Sequence, residues 1–171
     1  MPLRNATLET LEQVLEIIAV VDADYTTMAD VSPSPIGRHV RHIVDHLLAF
    51  REGAMSGCID YNVRRRDSAF ESDSNFAADT VKGFMAWLRS ASLEEREVTV
   101  ISEISVSHSE TVNITSTINR ELAYQINHTL HHIAYIRVLA RAIGLDVPEH
   151  LGVAPATASY LRSLEKSQCA Q

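Results

Sequence analysis

The order of apolar and polar residues divides this chain into long helical stretches separated by short polar breaks. In the first stretch, apolar residues recur three or four positions apart, which is the spacing of one face of an α-helix. These residues are Leu8, Leu11, Leu15 and Ile18. The sequence Ser-Pro-Ser-Pro at 32–35 ends that helix, and a second apolar stripe follows over about 36–56. The pattern predicts two long helices in the first third of the chain.

Two more long helices are predicted further along the chain. They cover about 75–90 and 119–143, and Gly144 is a suitable C-terminal stop for the last one. Between them, β-branched residues alternate with polar ones on both sides of a polar turn at 107–110. This alternation predicts a short β-hairpin directly before the last long helix.

The remaining segments complete the predicted architecture. Residues 59–74 are interpreted as an ordered loop, and residues 156–166 as a short terminal helix. We therefore predict an all-α protein, a four-helix bundle with a small β-hairpin before the last long helix. The chain length fits a single domain over 1–171.

Composition and charge narrow the class of function. The formal net charge of −7 argues against nonspecific binding to nucleic acid, which needs a basic face. The two cysteines, Cys58 and Cys169, form no CxxC motif, and Cys169 lies in an expected frayed tail. Acidic residues interrupt the N-terminal apolar run. We therefore expect a cytoplasmic protein with no signal peptide, no membrane span and no nucleic-acid partner.

Histidines crowd one short segment of the last predicted long helix. His128, His131 and His132 are three of the eight histidines in the chain. Residues four apart lie on one helix face, so His128 and His132 are separated by only about 40° around the axis. His131 points about 60° to the other side of His128. The spacing predicts that His128 and His132 could reach one cation.

The second predicted helix can supply a third ligand to that cation. His39, His42 and His46 flank its apolar stripe on one side. Three neutral imidazoles with open positions suit Zn, Ni or ferrous Fe, and they leave room for water or a small-molecule substrate. Each histidine taken alone is more often a hydrogen-bonded structural residue, so both interpretations stay open at this point.

Several residues near the two histidine clusters could orient a ligand imidazole or line a substrate pocket. They are Asp45, Glu121, Tyr124, Gln125, His131 and Tyr135. The alternative for Asp45 is an exposed helix carboxylate. Glu121 is either a general base or, as we prefer, a first-turn glutamate that favours the helix dipole. None of these residues is assigned a catalytic role.

The only basic run is Arg64, Arg65 and Arg66. We favour a solvated loop or salt bridges to nearby acidic residues. Those acidic residues are Asp67, Glu71 and Asp73. The functional alternative is a clamp for an anionic cofactor carboxylate, because arginine makes forked pairs with such groups.

Two segments resemble a known family. "NHTLHHIAYIR" at 127–137 and "IGRHVRHIVDHLLAFREG" at 36–53 are similar to the last and second helices of the DinB/YfiT-like superfamily. The resemblance covers nearly the whole chain. It implies an up-down-down-up four-helix bundle, often a homodimer, with a divalent metal held by one histidine of the second helix and two of the last. On the matching positions these ligands are His42, His128 and His132, with His46 as an alternative to His42.

The resemblance also implies a chemistry. Characterised members include S-transferases that use bacillithiol or mycothiol, so the implied function is metal-dependent activation of a low-molecular-weight thiol, or of water, against a small electrophile. The alternatives are a metal-dependent hydrolase and a non-catalytic metal-binding or stress-associated homodimer. Many members carry Arg-Gly-Gln directly after the last ligand, where this chain has Ile133, Ala134 and Tyr135. The family's substrate pocket therefore does not carry over directly.

Overall fold

The computed structural model describes residues 2–168, so the tail predicted around Cys169 lies outside the described residues. Five α-helices are present within them: α1 Pro2–Val20, α2 Ile36–Ser56, α3 Ser74–Ser90, α4 Ile118–Ala142 and α5 Pro155–Gln168. Short 3-10 turns follow α1 and precede α3, at Asp22–Asp24 and Ala69–Glu71. The helices α2 to α5 lie close to the predicted positions, whereas α1 ends at Val20, well before the break at 32–35 that was predicted to end it. None of them combines the length and the apolar character needed to cross a membrane.

Local sequence explains where the two histidine-bearing helices begin and end. α2 follows Pro35, which has an extended backbone, and it ends at Gly57, whose φ of 89° favours glycine. α4 begins where the Thr117 side chain accepts a hydrogen bond from the backbone N–H of Arg120. Gly144, with a φ of 88°, follows the end of α4.

The four long helices enclose a shared hydrophobic core. α1 and α2 each pack against both α3 and α4. Every one of these helices contributes side chains that are almost completely buried, among them Leu11, Ile17, Ile43, Leu47, Phe84, Leu88, Leu122 and Ile133. Because α2 and α4 are neighbours across this core, their histidine-bearing faces can meet.

The predicted all-α fold class is wrong, because three strands form a mixed sheet beside the helices. β1 (Cys58–Asp60) pairs in parallel with β2 (Glu97–Glu103), and β2 pairs antiparallel with β3 (Thr111–Thr117). The β2–β3 pair is the predicted hairpin, whereas β1 overlaps the start of the segment interpreted as a loop. A three-residue strand is too short to show a clear alternation of apolar and polar residues. The chain is therefore a mixed α/β protein and not an all-helical four-helix bundle.

β1 lies unusually close to α2. A Cβ atom added at Gly53 would lie 2.3 Å from Cγ1 of Ile59 and 2.6 Å from its Cα, so only glycine permits this approach. Ile59 is fully buried there. The strand thereby delivers the next residues of the chain to the space beside α2 and α4, where the histidines lie.

Candidate metal site

Three half-buried histidine rings converge between α2 and α4. His42 comes from α2, and His128 and His132 lie one turn apart on α4. Each ring offers one nitrogen atom, and the three nitrogen atoms all lie within 4.8 Å of one another. The ring centroid of His42 is 5.0 Å from that of His128 and 4.5 Å from that of His132. The structure thus brings together the three residues that the sequence proposes as ligands.

The surroundings of this histidine triad keep its imidazoles neutral. Burial lowers the pKa of His128 to about 4, and it lowers those of His42 and His132 to about 3. Neighbouring histidines contribute to the lowered pKa of all three, and the charge of Arg64 contributes to that of His42 and His128. A neutral imidazole keeps a lone pair on one nitrogen, which is the form that binds metal ions.

Two buried nitrogens of the triad have no hydrogen-bond partner among the described protein atoms. They are Nε2 of His128 and Nδ1 of His132. A buried polar atom left without a partner costs roughly 1–3 kcal/mol. Two nitrogens that bind the same zinc ion at about 2.1 Å lie at most about 4.2 Å apart. Small ring movements would therefore let the triad hold one ion, and its residues fit a divalent metal.

His46 lies beside the triad and is more deeply buried. It is 3% exposed, its ring stacks on His128 with a centroid distance of 4.0 Å, and it lies 4.6 Å from the ring of His42. Both of its ring nitrogens are buried without a partner in the described part of the chain, and burial lowers its pKa to about 2. Its nitrogens do not belong to the group that lies within 4.8 Å. The geometry therefore pairs His42, rather than His46, with the two histidines of α4.

Other histidines and a tyrosine lie at the rim of the cluster. His131 is exposed and packs edge-on against His132, with ring centroids 5.4 Å apart. Tyr135 is 37% exposed and packs on His39, whose ring centroid is 6.2 Å from that of His132. These residues border the triad, and His131 lies outside the group of converging nitrogens.

Tyr124 is placed to orient one of the triad's rings. Its ring stacks on that of His128 at a centroid distance of 5.3 Å, and its hydroxyl oxygen lies 3.5 Å from Nδ1 of His128. When Nδ1 carries the proton, it can donate to this hydroxyl, and Nε2 then keeps the free lone pair. Partners of this kind fix the tautomer and direction of imidazoles that bind metals.

Glu121 and Gln125 are linked to the cluster through Tyr61, a residue that the sequence analysis missed. The Tyr61 hydroxyl donates to Oε2 of Glu121 at 2.8 Å and accepts from Nε2 of Gln125 at 3.0 Å. Its ring stacks on His46, with centroids 4.9 Å apart and planes only 11° apart. Tyr61 directly follows β1, so it was missed together with that strand. The short apolar–polar–apolar alternation at 59–61 was the one available signal.

The carboxylate of Glu121 already has several hydrogen-bonding and charged partners. Glu121 is 3% exposed, and besides Tyr61 its carboxylate accepts from the Ser116 hydroxyl at 2.6 Å. Nη1 of Arg120 lies 3.5 Å from the same carboxylate. Glu121 sits in the first turn of α4, as the dipole interpretation expects. Its contacts support the position of Tyr61 and leave it poorly placed to act as a free general base.

Asp45 is fully buried, in contrast to the exposed carboxylate considered from the sequence. It accepts hydrogen bonds from the Arg65 guanidinium at 3.2 Å and from the Arg65 backbone N–H at 3.3 Å. Nη1 of Arg41 lies 3.8 Å away. These contacts hold the loop after β1 against α2. The described hydrogen bonds of Asp45 run to Arg65 and do not orient an imidazole.

The basic run at 64–66 is therefore only partly solvated. Arg64 is half-buried and donates to the backbone carbonyl of Tyr61, and its charge lowers the pKa of His42, His46 and His128. Glu71, one of the acidic partners expected for this run, pairs with Arg41 instead, at 3.0 Å.

Comparisons with known proteins add little to this geometry. A scan of known protein families gives no match, and no solved structure is significantly similar. The chain is 27% identical over 106 residues to FK506-binding protein 5 of Rhizopus delemar. That alignment covers 61% of this chain and 28% of the relative, so the chain spans less than a third of that protein's length. None of these findings supports an all-helical DinB/YfiT-like bundle, and the resemblance drawn from the two histidine segments stays a prediction.

Proposed function

We propose that this protein binds one divalent metal ion through His42, His128 and His132. The observation that carries the proposal is the convergence of three ring nitrogens within 4.8 Å of one another, from two separate helices. Three imidazole ligands are a common protein set for Zn, Ni and Fe, and they leave coordination positions open. Zn, Ni and Fe are therefore the candidate ions.

The surrounding residues support this role. Burial keeps the imidazoles neutral at physiological pH, so the ion does not have to displace protons from the triad. Tyr124 holds the His128 ring in a fixed direction from one side. His46, stacked between His128 and Tyr61, closes the other side with an uncharged ring. The triad is thus pre-arranged before an ion arrives.

We further propose that the site acts on a small electrophile by means of a low-molecular-weight thiol or water. A metal ion at such a site lowers the pKa of a bound thiol or water and supplies a nucleophile at neutral pH. The chain's own part is to hold the ligands and to exclude bulk water with the rings of Tyr61 and Tyr124. Cys58 is exposed at the start of β1, on a different part of the chain from the triad. A small external thiol, rather than this cysteine, fits the role of sulfur donor.

Elemental analysis tests the metal site directly. The protein is loaded separately with Zn, Ni or ferrous Fe, dialysed, and compared with His132→Ala and His131→Ala variants. His131 is the matched control, because it is the adjacent histidine on the same helix and is exposed. We expect wild type and His131→Ala to retain the ion and His132→Ala to lose most of it. Equal metal content in all three proteins would refute the triad.

Activity assays then separate catalysis from simple metal binding. Loaded protein is incubated with small thiols and a panel of electrophiles, and also with electrophiles alone to detect hydrolysis. Consumption that requires both metal and thiol supports the transferase. Consumption that requires metal alone supports the hydrolase, and a loaded protein inactive in every arm supports the non-catalytic alternative.

A further inference from the structure

A cavity beside the histidine triad has features of a ligand site. It encloses about 430 Å³ between the β2–β3 hairpin and the first turns of α4. Tyr61 and Tyr124 both line it. Val100 and Ile114 are direct partners across the hairpin and give it an apolar floor. A volume of this size suits a small organic molecule.

The two tyrosines connect the cavity to the histidines. Tyr61 stacks on His46, and Tyr124 stacks on His128. Their own rings lie 5.1 Å apart and form a common wall. A molecule in the cavity would therefore rest against the residues that also contact the triad.

The two charged side chains that line the cavity, Glu121 and Arg120, differ in whether they are free to bind a ligand. The carboxylate of Glu121 is buried and already accepts hydrogen bonds from Tyr61 and Ser116. The Arg120 side chain is 62% exposed and lies over the Tyr124 ring, with Cζ 5.5 Å from the ring centroid. A guanidinium has five N–H donors, and the Arg120 contact with Glu121 engages one of its nitrogens at 3.5 Å. The charged group that still has free donors at the cavity is therefore the Arg120 guanidinium, and the hydroxyls of Ser102, Thr115 and Thr117 line the cavity beside it.

We infer that this cavity binds a small amphipathic carboxylate, with its carboxylate on Arg120 and its apolar body against Tyr124, Val100 and Ile114. The claim that the bound molecule is a substrate of the histidine triad rests on the proposed function. The claim that the cavity binds such a molecule depends only on the residues that line the cavity. The ligand class follows from an apolar floor, an aromatic wall and one available guanidinium.

Binding of matched probes to metal-free protein tests the inference. Indole-3-acetate is compared by calorimetric titration with neutral indole-3-ethanol and cationic tryptamine, which share its aromatic body, in the presence of EDTA. The variants are Arg120→Gln, Ile114→Glu and the control Arg89→Gln, which removes an exposed arginine of α3. Ile114 is 47% exposed, so the charged replacement is compatible with folding.

We expect wild type and Arg89→Gln to bind indole-3-acetate more tightly than either comparator. Arg120→Gln should weaken that binding about fivefold while leaving indole-3-ethanol unchanged, and Ile114→Glu should weaken both. No binding to wild type, equal binding by Arg120→Gln, or a preference for tryptamine would overturn the inference. Because metal is absent, probe binding without metal binding overturns only the proposed function. Metal binding without probe binding overturns only the cavity.

Discussion

At the scale of single residues, His42 and His46 can be distinguished by replacement with phenylalanine. His46 carries two buried nitrogens without a partner in the described chain, so His46→Phe should raise the stability of metal-free protein by about 1–3 kcal/mol. The same variant should keep its metal, because His46 lies outside the converging group. His42→Phe should lose most of its metal. Calorimetric melting in EDTA and elemental analysis after dialysis measure both effects, and metal loss in His46→Phe but not in His42→Phe would reverse the assignment.

Tyr61 provides a second test at the same scale. Tyr61→Phe keeps the ring on His46 but removes the hydroxyl that satisfies buried Glu121 and Gln125. Two buried polar groups then lose a partner, and we expect the free energy of unfolding to fall by about 1–3 kcal/mol. Tyr160→Phe is the matched control, because Tyr160 is 62% exposed on α5 and its change should be near zero. Urea unfolding monitors both variants, and equal stability of the two would show that the Tyr61 hydroxyl contributes nothing.

At the scale of elements, the packing of β1 on α2 predicts opposite effects for the same substitution at two glycines. Gly53→Ala would place a Cβ 2.6 Å from backbone Cα of Ile59, so we expect a loss of about 1–3 kcal/mol in stability. Gly83→Ala in α3 meets nothing within 4 Å and should gain about 0.5–1 kcal/mol, because alanine suits a helix interior better. Thermal unfolding of the two variants shows directly whether each substitution lowers or raises the stability of the protein. A neutral Gly53→Ala would mean that β1 can move away from α2.

Long amphipathic stretches and turn residues predicted the helices and the hairpin, because each of these elements carries its pattern within one continuous segment. β1 could not be found in this way, since a three-residue strand depends on its partner β2 far along the chain. Tyr61 was missed because β1 was missed, although the Tyr61 ring contacts His46 directly. The histidines were found because their four-residue spacing is itself a local pattern.

At the scale of the whole molecule, the buried histidines make the metal-free fold less stable than apolar side chains in the same place would. The helices α2 and α4 meet through imidazoles as well as through side chains such as Ile43 and Ile133. Five of these rings have lowered pKa values, those of His39, His42, His46, His128 and His132. All but His42 also carry a buried nitrogen without a partner among the described residues, which lowers the stability of the metal-free chain. A ligand that binds only the folded state raises stability in proportion to the logarithm of its concentration above Kd. The proposed metal binding would therefore be coupled to folding.

The buried histidines give metal-free protein a defined dependence of stability on pH. In the folded chain the pKa values of His42, His46, His128 and His132 lie between about 2 and about 4, whereas the unfolded chain has values near the usual 6.5. Above about pH 6.5 these histidines are neutral in both states and stability does not depend on them. As the pH falls below that value, only the unfolded chain takes up their protons, so unfolding becomes easier until the folded histidines titrate.

We therefore expect the urea midpoint of EDTA-treated protein to be level between about pH 8 and pH 7 and to fall steadily from about pH 6.5 to pH 5. That window lies above the range in which ordinary carboxylates protonate, so the decline reports on histidines. His39, whose pKa is lowered by burial, contributes to the same decline, so His46→Phe removes one of five such groups and should make the decline shallower. Since the triad's imidazoles stay neutral in the folded chain across this window, a saturating ion should stabilise the protein throughout it and lose its effect only as the pH approaches about 4. A midpoint that stays level down to pH 5 in metal-free wild type would show that these rings accept protons within the fold, and the triad would then lack the enclosed, neutral character on which metal binding here depends.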